Sequence, residues 1–331
     1  MFYKEENGKL RCRLCRHECL IAPGKRGICQ VRENRDGKLY TLNYRKAISV
    51  AIDPIEKKPF YHFLPGSTSL SIATAGCNFR CLHCQNYSIS QLVRESGGIP
   101  GEDIAPEQVV AMAKQEGCQS ISYTYTEPTI FYEYAYDIAK LAKKEGLANT
   151  FVTNGYIGED ALREISPYLD AANIDLKGFT DKFYREVCGA KLQPVLDSIT
   201  LHHELGIWIE IATLVIPGYN DSKEDFEGIA GFIAKLDPEI PWHVTRFHPD
   251  YKLLSASATP AETLRMARDI GLDHGLKNVY EGNLPGEERS DTYCPKCGKL
   301  LIKRYGFSVS KNLIKNGKCP DCGTKIAGRL G

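Results

Sequence analysis

The sequence predicts an α/β fold, a partial (β/α)6 barrel similar to a TIM barrel, from two observations. Between residues 70 and 280, short apolar and β-branched stretches alternate with longer amphipathic ones, as parallel strands covered by helices require. Polar motifs follow almost every predicted strand, and barrel enzymes place their chemistry at the carboxyl ends of many strands. A doubly wound sheet, which concentrates its site at one switch point, fits this distribution less well.

Seven stretches have the composition of buried parallel strands. They are Leu70–Thr74, Ser120–Tyr125, Asn149–Thr153, Ala172–Leu176, Trp208–Ile216, His243–Phe247 and Val279–Tyr280. Helices are predicted between them because Pro or Ser precedes several amphipathic stretches and Gly follows them. The longest predicted helix spans Asp181–Leu205.

The composition is that of a globular protein, with 331 residues, 43% of them hydrophobic and 25% charged. No apolar run approaches the roughly 20 residues of a membrane span. The first residues lack the charged and then apolar layout of a signal peptide. We therefore expect a cytoplasmic protein that does not enter a membrane.

The two ends of the chain are basic. Residues 1–64 contain 14 Lys and Arg against 7 Asp and Glu, and residues 291–331 contain 9 against 2. Such ends form either a solvated surface or a contact with an acidic partner or nucleic acid. Neither end shows the strand–helix alternation. We therefore predict an N-terminal cysteine-rich extension (1–64), a barrel (65–290) and a metal-dependent C-terminal module (291–331).

Thirteen cysteines fall mainly into three close groups, a pattern that suits metal binding in a reducing compartment. The C-terminal group consists of two Cys-Pro-x-Cys-Gly turns, which predict a closed zinc ribbon, with a rubredoxin-like iron site as the alternative. Its ligands would be Cys294, Cys297, Cys319 and Cys322.

The N-terminal group also provides four thiols, with His17 as a spare ligand. For this group we predict structural zinc and keep an auxiliary iron–sulfur cluster as the alternative. Its members are Cys12, Cys15, Cys19 and Cys29.

The central group has only three cysteines, Cys77, Cys81 and Cys84, in the loop after the first predicted barrel strand. A closed zinc site and an ordinary cubane cluster each use four protein ligands. Three thiols on a four-iron cluster leave one iron free to bind a small molecule. The alternatives are a zinc site completed by His83 and a fortuitous cluster of thiols.

A C-x3-C-x2-C motif after strand one of a strand–helix barrel resembles the radical S-adenosylmethionine (SAM) superfamily. The resemblance implies a [4Fe–4S] cluster whose open iron chelates SAM. One electron then cleaves a carbon–sulfur bond and releases a carbon radical, usually 5′-deoxyadenosyl. Many members have an aromatic residue before the last cysteine, where this chain has His83.

Motifs after strands two and three extend the resemblance. Glu127-Pro128 matches the end of a Gly-Gly-Glu-Pro motif whose carboxylate contacts the SAM ammonium. Glu127 can instead be a helix N-terminal charge. Thr153-Asn154-Gly155 is similar to a motif beside the cofactor in the activases that install glycyl radicals, although it is also an ordinary turn. The resemblance implies that Glu127, Thr153 and Asn154 contact SAM.

Motifs after strands four and six resemble the same activases. Asp175 and Lys177 are two residues apart and point to one side of a strand, so Lys177 either contacts SAM or pairs structurally with Asp175. His248 either touches the adenosine or substrate, or packs at the strand end.

The N-terminal cysteine motif, the Tyr-Thr-Tyr-x-Glu-Pro-Thr stretch and a Tyr-x-Gly-Asn-x-Pro-Gly stretch from Tyr280 to Gly286 together resemble one branch. It comprises the radical SAM enzymes of the AmmeMemoRadiSam system, homologues of pyruvate formate-lyase activating enzyme. The resemblance implies an electron donor such as flavodoxin or ferredoxin, with the other proteins of that system as candidate partners.

Two rival functions are kept. One is activation of a glycyl-radical enzyme. The other is a zinc-dependent module that uses the basic ends to bind nucleic acid or protein. Residues 65–290 contain 19 Lys and Arg against 32 Asp and Glu, and this acidic middle and the three-thiol site disfavour such a module. The substrate and the carbon–sulfur bond that breaks are not predicted.

Overall fold

The structure is a computed structural model that describes residues 1–284 and 289–330. The chain begins with two small antiparallel sheets. The first contains β1 (Tyr3–Glu6), β2 (Lys9–Cys12) and β3 (Leu20–Ile21), and the second is a hairpin of β4 (Arg32–Arg35) and β5 (Lys38–Thr41). Between β2 and β4 the chain folds into loops that contain Cys15, Cys19 and Cys29.

A nine-stranded sheet forms the centre of the molecule. In chain order its strands are β6 (Lys46–Pro54), β7 (Thr68–Thr74), β8 (Glu102–Asp103), β9 (Ser120–Tyr123), β10 (Ala148–Thr153), β11 (Ala171–Asp175), β12 (Trp208–Val215), β13 (Trp242–Arg246) and β14 (Val279–Gly282). The spatial order is β14-β13-β12-β11-β10-β9-β7-β6-β8. The seven strands from β14 to β7 are parallel, whereas β6 is antiparallel to β7 and to β8.

Helices connect the parallel strands. They are α1 (Tyr87–Ser90), α2 (Leu92–Ser96), α3 (Pro106–Gln115), α4 (Tyr132–Lys144), α5 (Glu159–Ile165), α6 (Asp181–Phe183), α7 (Gln193–Glu204), α8 (Lys223–Leu236) and α9 (Ala261–Asp273). Their apolar faces pack on the sheet in one large hydrophobic core. Within the described residues, none of these helices is long and apolar enough to cross a membrane.

Each of the seven predicted strands is found within two residues of its predicted bounds. The α/β fold with a parallel sheet is therefore confirmed, and the exact size of the barrel stays a prediction. Strand β6 lies in the predicted N-terminal extension, yet it pairs with β7 along most of its length. Cys12 and Cys29 also belong to the large core. The division of the chain at residue 64 stays a prediction.

The predicted helix Asp181–Leu205 is wrong in its continuity. After α6 the chain forms a π-helical turn, Tyr184–Cys188, which ends at Gly189 with a φ of +72°, and α7 begins only at Gln193. A left-handed residue cannot continue a right-handed helix, and glycine adopts that conformation without a Cβ penalty. The turn thereby brings Cys188 against the loop that follows β7.

The C-terminal ribbon contains β15 (Thr292–Tyr293), β16 (Leu300–Tyr305) and β17 (Ser308–Asn312) around its own small core. Arg304 anchors it to the rest of the chain. The Arg304 guanidinium is fully buried, lies 4.2 Å from the centre of the Tyr61 ring and donates to the Tyr61 carbonyl at 2.8 Å. Its Nε lies 3.5 Å from Oε1 of the buried Glu56.

Buried polar side chains continue this contact into the sheet. Glu210 accepts hydrogen bonds from the backbone N–H groups of Tyr61 and His62, at 3.0 and 2.8 Å. Tyr280 shares hydrogen bonds with His62 and with Thr292 of the ribbon, at 2.6 and 2.8 Å. Glu210 and Tyr280 lie near the amino ends of β12 and β14, so the ribbon contacts the end of the sheet where the parallel strands begin.

Candidate active site

The three central cysteines lie in the loop between β7 and α1, which we call the cluster loop (residues 75–86). Cys81 is buried, and Cys77 and Cys84 are partly buried. Burial raises the pKa of the Cys77 and Cys84 thiols above its usual range. A hydrogen bond with the buried Cys188 thiol, together with burial, does the same for Cys81. Because metals bind thiolates, ligation of a cation would supply the charge compensation that these sites lack.

Two sets of hydrogen bonds hold the cluster loop in place. The N–H groups of Arg80 and Leu82 donate to the carbonyls of Cys188 and Val187, each at 3.0 Å, so the π-helical turn forms a backing for the loop. On the other side, Arg94 of α2 donates to the carbonyls of Phe79 at 2.8 Å and Cys77 at 3.0 Å. Hydrogen bonds from a guanidinium are stronger than neutral ones, so this side chain fixes the path of the loop.

Glu127 follows β9 and is 2% exposed. Its Oε1 accepts hydrogen bonds from the N–H and hydroxyl of Thr129, at 3.1 and 2.6 Å, and from the Thr153 hydroxyl at 2.8 Å. Its Oε2 accepts only the N–H of Asn154, at 2.8 Å. Burial raises the pKa of this carboxyl, and the four donors partly oppose the shift. Glu127 thus caps the 3-10 turn that follows it, as the alternative interpretation expected, and Oε2 keeps capacity for a further donor.

Thr153 and Asn154 lie at the carboxyl end of β10, and both are buried. Asn154 Nδ2 donates to Oδ1 of Asn78 in the cluster loop at 2.7 Å and lies 4.0 Å from Cys77 Sγ. Among the described residues, the buried Nδ2 of Asn78 has no hydrogen-bond partner. A bound polar group or a cluster sulfur would accept a hydrogen bond from this unpaired donor beside Cys77.

Asp175 and Lys177 pair at the carboxyl end of β11, with 2.7 Å between Nζ and Oδ2. Burial lowers the pKa of Lys177, but the Asp175 carboxylate and nearby thiolate positions outweigh it, so the pKa lies above its usual range. Asn220 holds the Lys177 backbone by donating to its carbonyl at 2.6 Å, and Tyr184 accepts its N–H at 3.0 Å. The structural ion pair is therefore present, and a contact between Lys177 and SAM stays a prediction.

The two histidines expected near this region differ in environment. His83 is buried and stacks against Phe183 at 6.3 Å between ring centroids. Burial and the Lys177 charge lower the pKa of His83 to about 3, so the ring is neutral and fills the position that an aromatic residue takes in the resembling proteins. His248 is exposed after β13, with its Nδ1 3.2 Å from Nε2 of Gln85 in the cluster loop.

All the expected SAM-contacting residues follow carboxyl ends of parallel strands, so they lie along one edge of the sheet. The structure brings Glu127, Thr153 and Asn154 into one hydrogen-bonded group with the cluster loop. Lys177 and His248 are outside this group: Lys177 pairs with Asp175, and His248 lies beside Gln85 in the cluster loop. Of the Tyr280–Gly286 motif, Pro285 and Gly286 lie outside the described residues.

The sequence interpretation missed three side chains that shape this region: Asn78, Arg94 and Cys188. Each acts through a contact between residues distant in sequence, which no spacing reveals. Asn220 is different, because it lies in the polar Pro217–Asp221 stretch directly after the predicted strand Trp208–Ile216. Its hydrogen bond to Lys177 gives that motif a structural role.

The four ribbon thiols form a compact group. Cys294 and Cys322 have their sulfurs 3.6 Å apart, and Cys297 and Cys319 have theirs 3.7 Å apart. All four ligand atoms lie within 4.8 Å of one another. Tetrahedral zinc with Zn–S bonds of about 2.3 Å places its sulfurs roughly 3.8 Å apart. The four thiols are therefore compatible with one metal ion, and zinc as that ion stays a prediction.

The chain is similar to known proteins in sequence and in fold. The profile of the radical SAM superfamily matches residues 71–233, which include the three central cysteines. An uncharacterized protein of Methanocaldococcus jannaschii is 48% identical over 330 residues, which cover 98% of each chain. The pyruvate formate-lyase-activating enzyme of Clostridium pasteurianum is 22% identical over 223 residues, which cover 62% of this chain and 89% of that enzyme.

Among solved structures, a radical SAM methyltransferase from Sphaerobacter thermophilus has the same fold, with a TM-score of 0.52. The match is 15% identical and covers 67% of this chain and 68% of that one. The chain belongs to the radical SAM superfamily and is an enzyme of that class. Membership implies SAM and a [4Fe–4S] cluster as cofactors.

Proposed function

We propose that this enzyme cleaves SAM reductively at a [4Fe–4S] cluster held by Cys77, Cys81 and Cys84, and that the carbon radical so produced abstracts hydrogen from a substrate. The cluster, when bound, would supply the electron that breaks a carbon–sulfur bond of SAM. An external one-electron donor of the flavodoxin or ferredoxin type would restore that electron. The observation that carries the proposal is the convergence of three thiols with Glu127, Thr153 and Asn154.

The chain's own residues fit the cluster. The three thiols are largely screened from water. In the described part of the chain, the sulfurs of these three cysteines do not all lie within 4.8 Å of one another, whereas the four ribbon sulfurs do. Wider separation is expected when each thiolate binds a different iron, whereas one zinc ion would draw the sulfurs together. Arg94 and the Tyr184–Cys188 turn would hold the loop rigid while the cluster is bound.

The same residues fit SAM. Oε2 of Glu127 would accept a hydrogen bond from the SAM ammonium, and the Asn154 side chain would orient the cluster loop beside it. The buried Asn78 Nδ2 offers a donor to the SAM carboxylate or a cluster sulfur. Lys177, fixed by Asp175 and Asn220, would hold positive charge near the anionic cluster. Each contact aids binding or orientation, and the radical chemistry belongs to the cofactors.

A glycyl residue of a partner protein is the second candidate for the hydrogen donor. The similarity to a pyruvate formate-lyase-activating enzyme favours it, because that relative's name states an activating role. Proteins of the AmmeMemoRadiSam system remain the proposed partners, and a cytoplasmic location remains expected.

The test is anaerobic reconstitution with iron and sulfide, reduction by dithionite and addition of SAM. We expect a four-iron electron paramagnetic resonance (EPR) signal that SAM alters, together with 5′-deoxyadenosine and methionine detected by mass spectrometry. Cys81→Ala should abolish both products. Cys118→Ala is the matched control, because Cys118 is a buried cysteine before β9, at the opposite end of the sheet. Product formation by Cys81→Ala at the control's rate would refute the proposal.

A further inference from the structure

The four N-terminal cysteines surround a single space. Cys12, Cys15, Cys19 and Cys29 all line one cavity. His17, Arg32 and Ile130 complete its walls. The four cysteines thus border the same space.

The separation of these thiols distinguishes them from the ribbon cysteines. In the described part of the chain, the ribbon four are the single group of three or more metal-ligating side chains whose ligand atoms all lie within 4.8 Å of one another. No three of the N-terminal thiols therefore reach the spacing of about 3.8 Å that one tetrahedral zinc ion imposes. The ribbon shows that the same structure does bring four thiols within 4.8 Å of one another elsewhere in the chain.

We propose that Cys12, Cys15, Cys19 and Cys29 bind a second iron–sulfur cluster of the four-cysteine cubane type, rather than the zinc ion that their sequence spacing favoured. A polynuclear cluster attaches each thiolate to a different metal, so the sulfurs stand apart around a core of iron and sulfide. Four thiols around an otherwise unfilled space match that requirement.

Polar groups around the space support an anionic occupant. Arg32 is 2% exposed and lines the region, and its Nε has no hydrogen-bond partner within residues 1–284 and 289–330. The other two guanidinium nitrogens of Arg32 are bound to Glu133. The N–H of Ile28 points at Cys19 Sγ over 3.5 Å. Donors of this kind satisfy the sulfurs of a cluster that carries net negative charge.

The second site shares a wall with the cluster loop. His17 Nε2 lies 3.0 Å from the carbonyl of Asn78, and Arg94 donates to the carbonyls of both Ile28 and Cys77, at 3.0 Å each. A Cβ added to Gly76 would lie 3.4 Å from the Cys29 carbonyl oxygen. The two cysteine sets are therefore adjoining parts of one body, but no cysteine belongs to both, so substitutions can target each set by itself.

The experiment compares three anaerobically reconstituted proteins by iron, sulfide and zinc analysis and by EPR. They are the wild type, a variant with Cys12→Ala and Cys15→Ala, and a variant with Cys77→Ala, Cys81→Ala and Cys84→Ala. We expect about eight iron atoms in the wild type and about four in each variant. We also expect one zinc ion, in the ribbon, in all three.

The central-triplet variant is decisive, because it keeps all four N-terminal thiols and removes the cluster of the proposed function. A cubane EPR signal in that variant supports the inference even if SAM cleavage is never observed. Two zinc ions per wild-type chain with no more than about four iron atoms would overturn it. If the N-terminal variant fails to fold, the central-triplet variant and the wild-type metal ratios still decide the question.

Discussion

Asn154 donates through Nδ2 to Oδ1 of Asn78 at 2.7 Å, and this hydrogen bond joins the carboxyl end of β10 to the cluster loop. The backbone N–H of Asn154 donates at the same time to Glu127. One residue therefore links the loop after β7, the segment after β9 and the end of β10. The position of Cys77 depends on this link, because Asn78 is its immediate neighbour.

Asn154→Ala should weaken SAM cleavage without removing iron. Loss of a buried hydrogen bond that leaves Asn78 Oδ1 unpaired costs about 1–3 kcal/mol. If that whole cost falls on the complex with SAM, the rate at limiting SAM is roughly 5- to 150-fold lower. The measurement is 5′-deoxyadenosine formation against SAM concentration. Asn149→Ala is the matched control, since Asn149 is a buried asparagine at the other end of β10 and should affect thermal stability alone. Equal rates for the two variants would contradict the prediction.

Arg94→Gln should loosen the cluster loop. The variant loses charged hydrogen bonds to the carbonyls of Ile28, Cys77 and Phe79, each contributing about 1.5–3 kcal/mol in similar settings. We expect faster loss of iron in air, followed as the decay of visible absorbance. Arg163→Gln, which breaks an exposed pair with Glu159, should keep the wild-type decay rate. An unchanged decay in Arg94→Gln would show that the loop is held by other contacts.

Acid should destabilise the protein through buried His202. Its Nδ1 lies 2.7 Å from the Ser198 carbonyl, and burial lowers the pKa of the ring from 6.5 to about 4. The folded state therefore resists protonation, and stability present above pH 6.5 is lost as the pH falls toward 4, by up to about 1.4 kcal/mol per pH unit.

His202→Leu should flatten the fall of the melting temperature between pH 7 and pH 5, as measured by circular dichroism. The neighbouring His203 is partly exposed, so His203→Leu is the matched control, for which burial gives no reason to expect a flatter profile. A wild-type slope in His202→Leu would assign the acid sensitivity to other groups.

Arg304→Met should lower stability and leave the chemistry intact. The change leaves Glu56 buried without its cation, and breaking a buried pair in this way costs about 3–5 kcal/mol. The melting temperature should fall, while SAM cleavage at low temperature is retained. Lys303→Met is the control, because Lys303 is exposed on the other face of the same strand. Loss of SAM cleavage in a folded Arg304→Met protein would contradict the separation of ribbon and site.

The sequence predicted the parallel strands well because each is a short stretch rich in apolar and β-branched residues, as strands covered on both faces require, and is too short for a typical helix. It failed at Asp181–Leu205 because amphipathic periodicity continues through the segment, while the break depends on Gly189 and on the packing of Cys188 against the cluster loop. Local patterns do not report such long-range contacts.

The candidate site was likewise predicted only in part from the sequence. The motifs that resemble the radical SAM superfamily pointed to Glu127, Thr153, Asn154 and Lys177, and a barrel gathers such strand ends at one edge. Their contact with SAM stays a prediction. Spacing alone left the metal at Cys12, Cys15, Cys19 and Cys29 open, because zinc and iron clusters use the same thiolate ligands. Only the separation of the folded thiols distinguishes the two kinds of occupant.

Attachment of the ribbon through Arg304 has an evolutionary consequence. The anchor meets the sheet near the amino ends of β12 and β14, whereas the cysteine triplet and its neighbours follow the carboxyl ends. Mutations that reshape the ribbon therefore act on the opposite end of the sheet from the reaction centre. Changes to this appendage, or to the metal proposed for it, should therefore act first on folding and leave the proposed catalytic end in place.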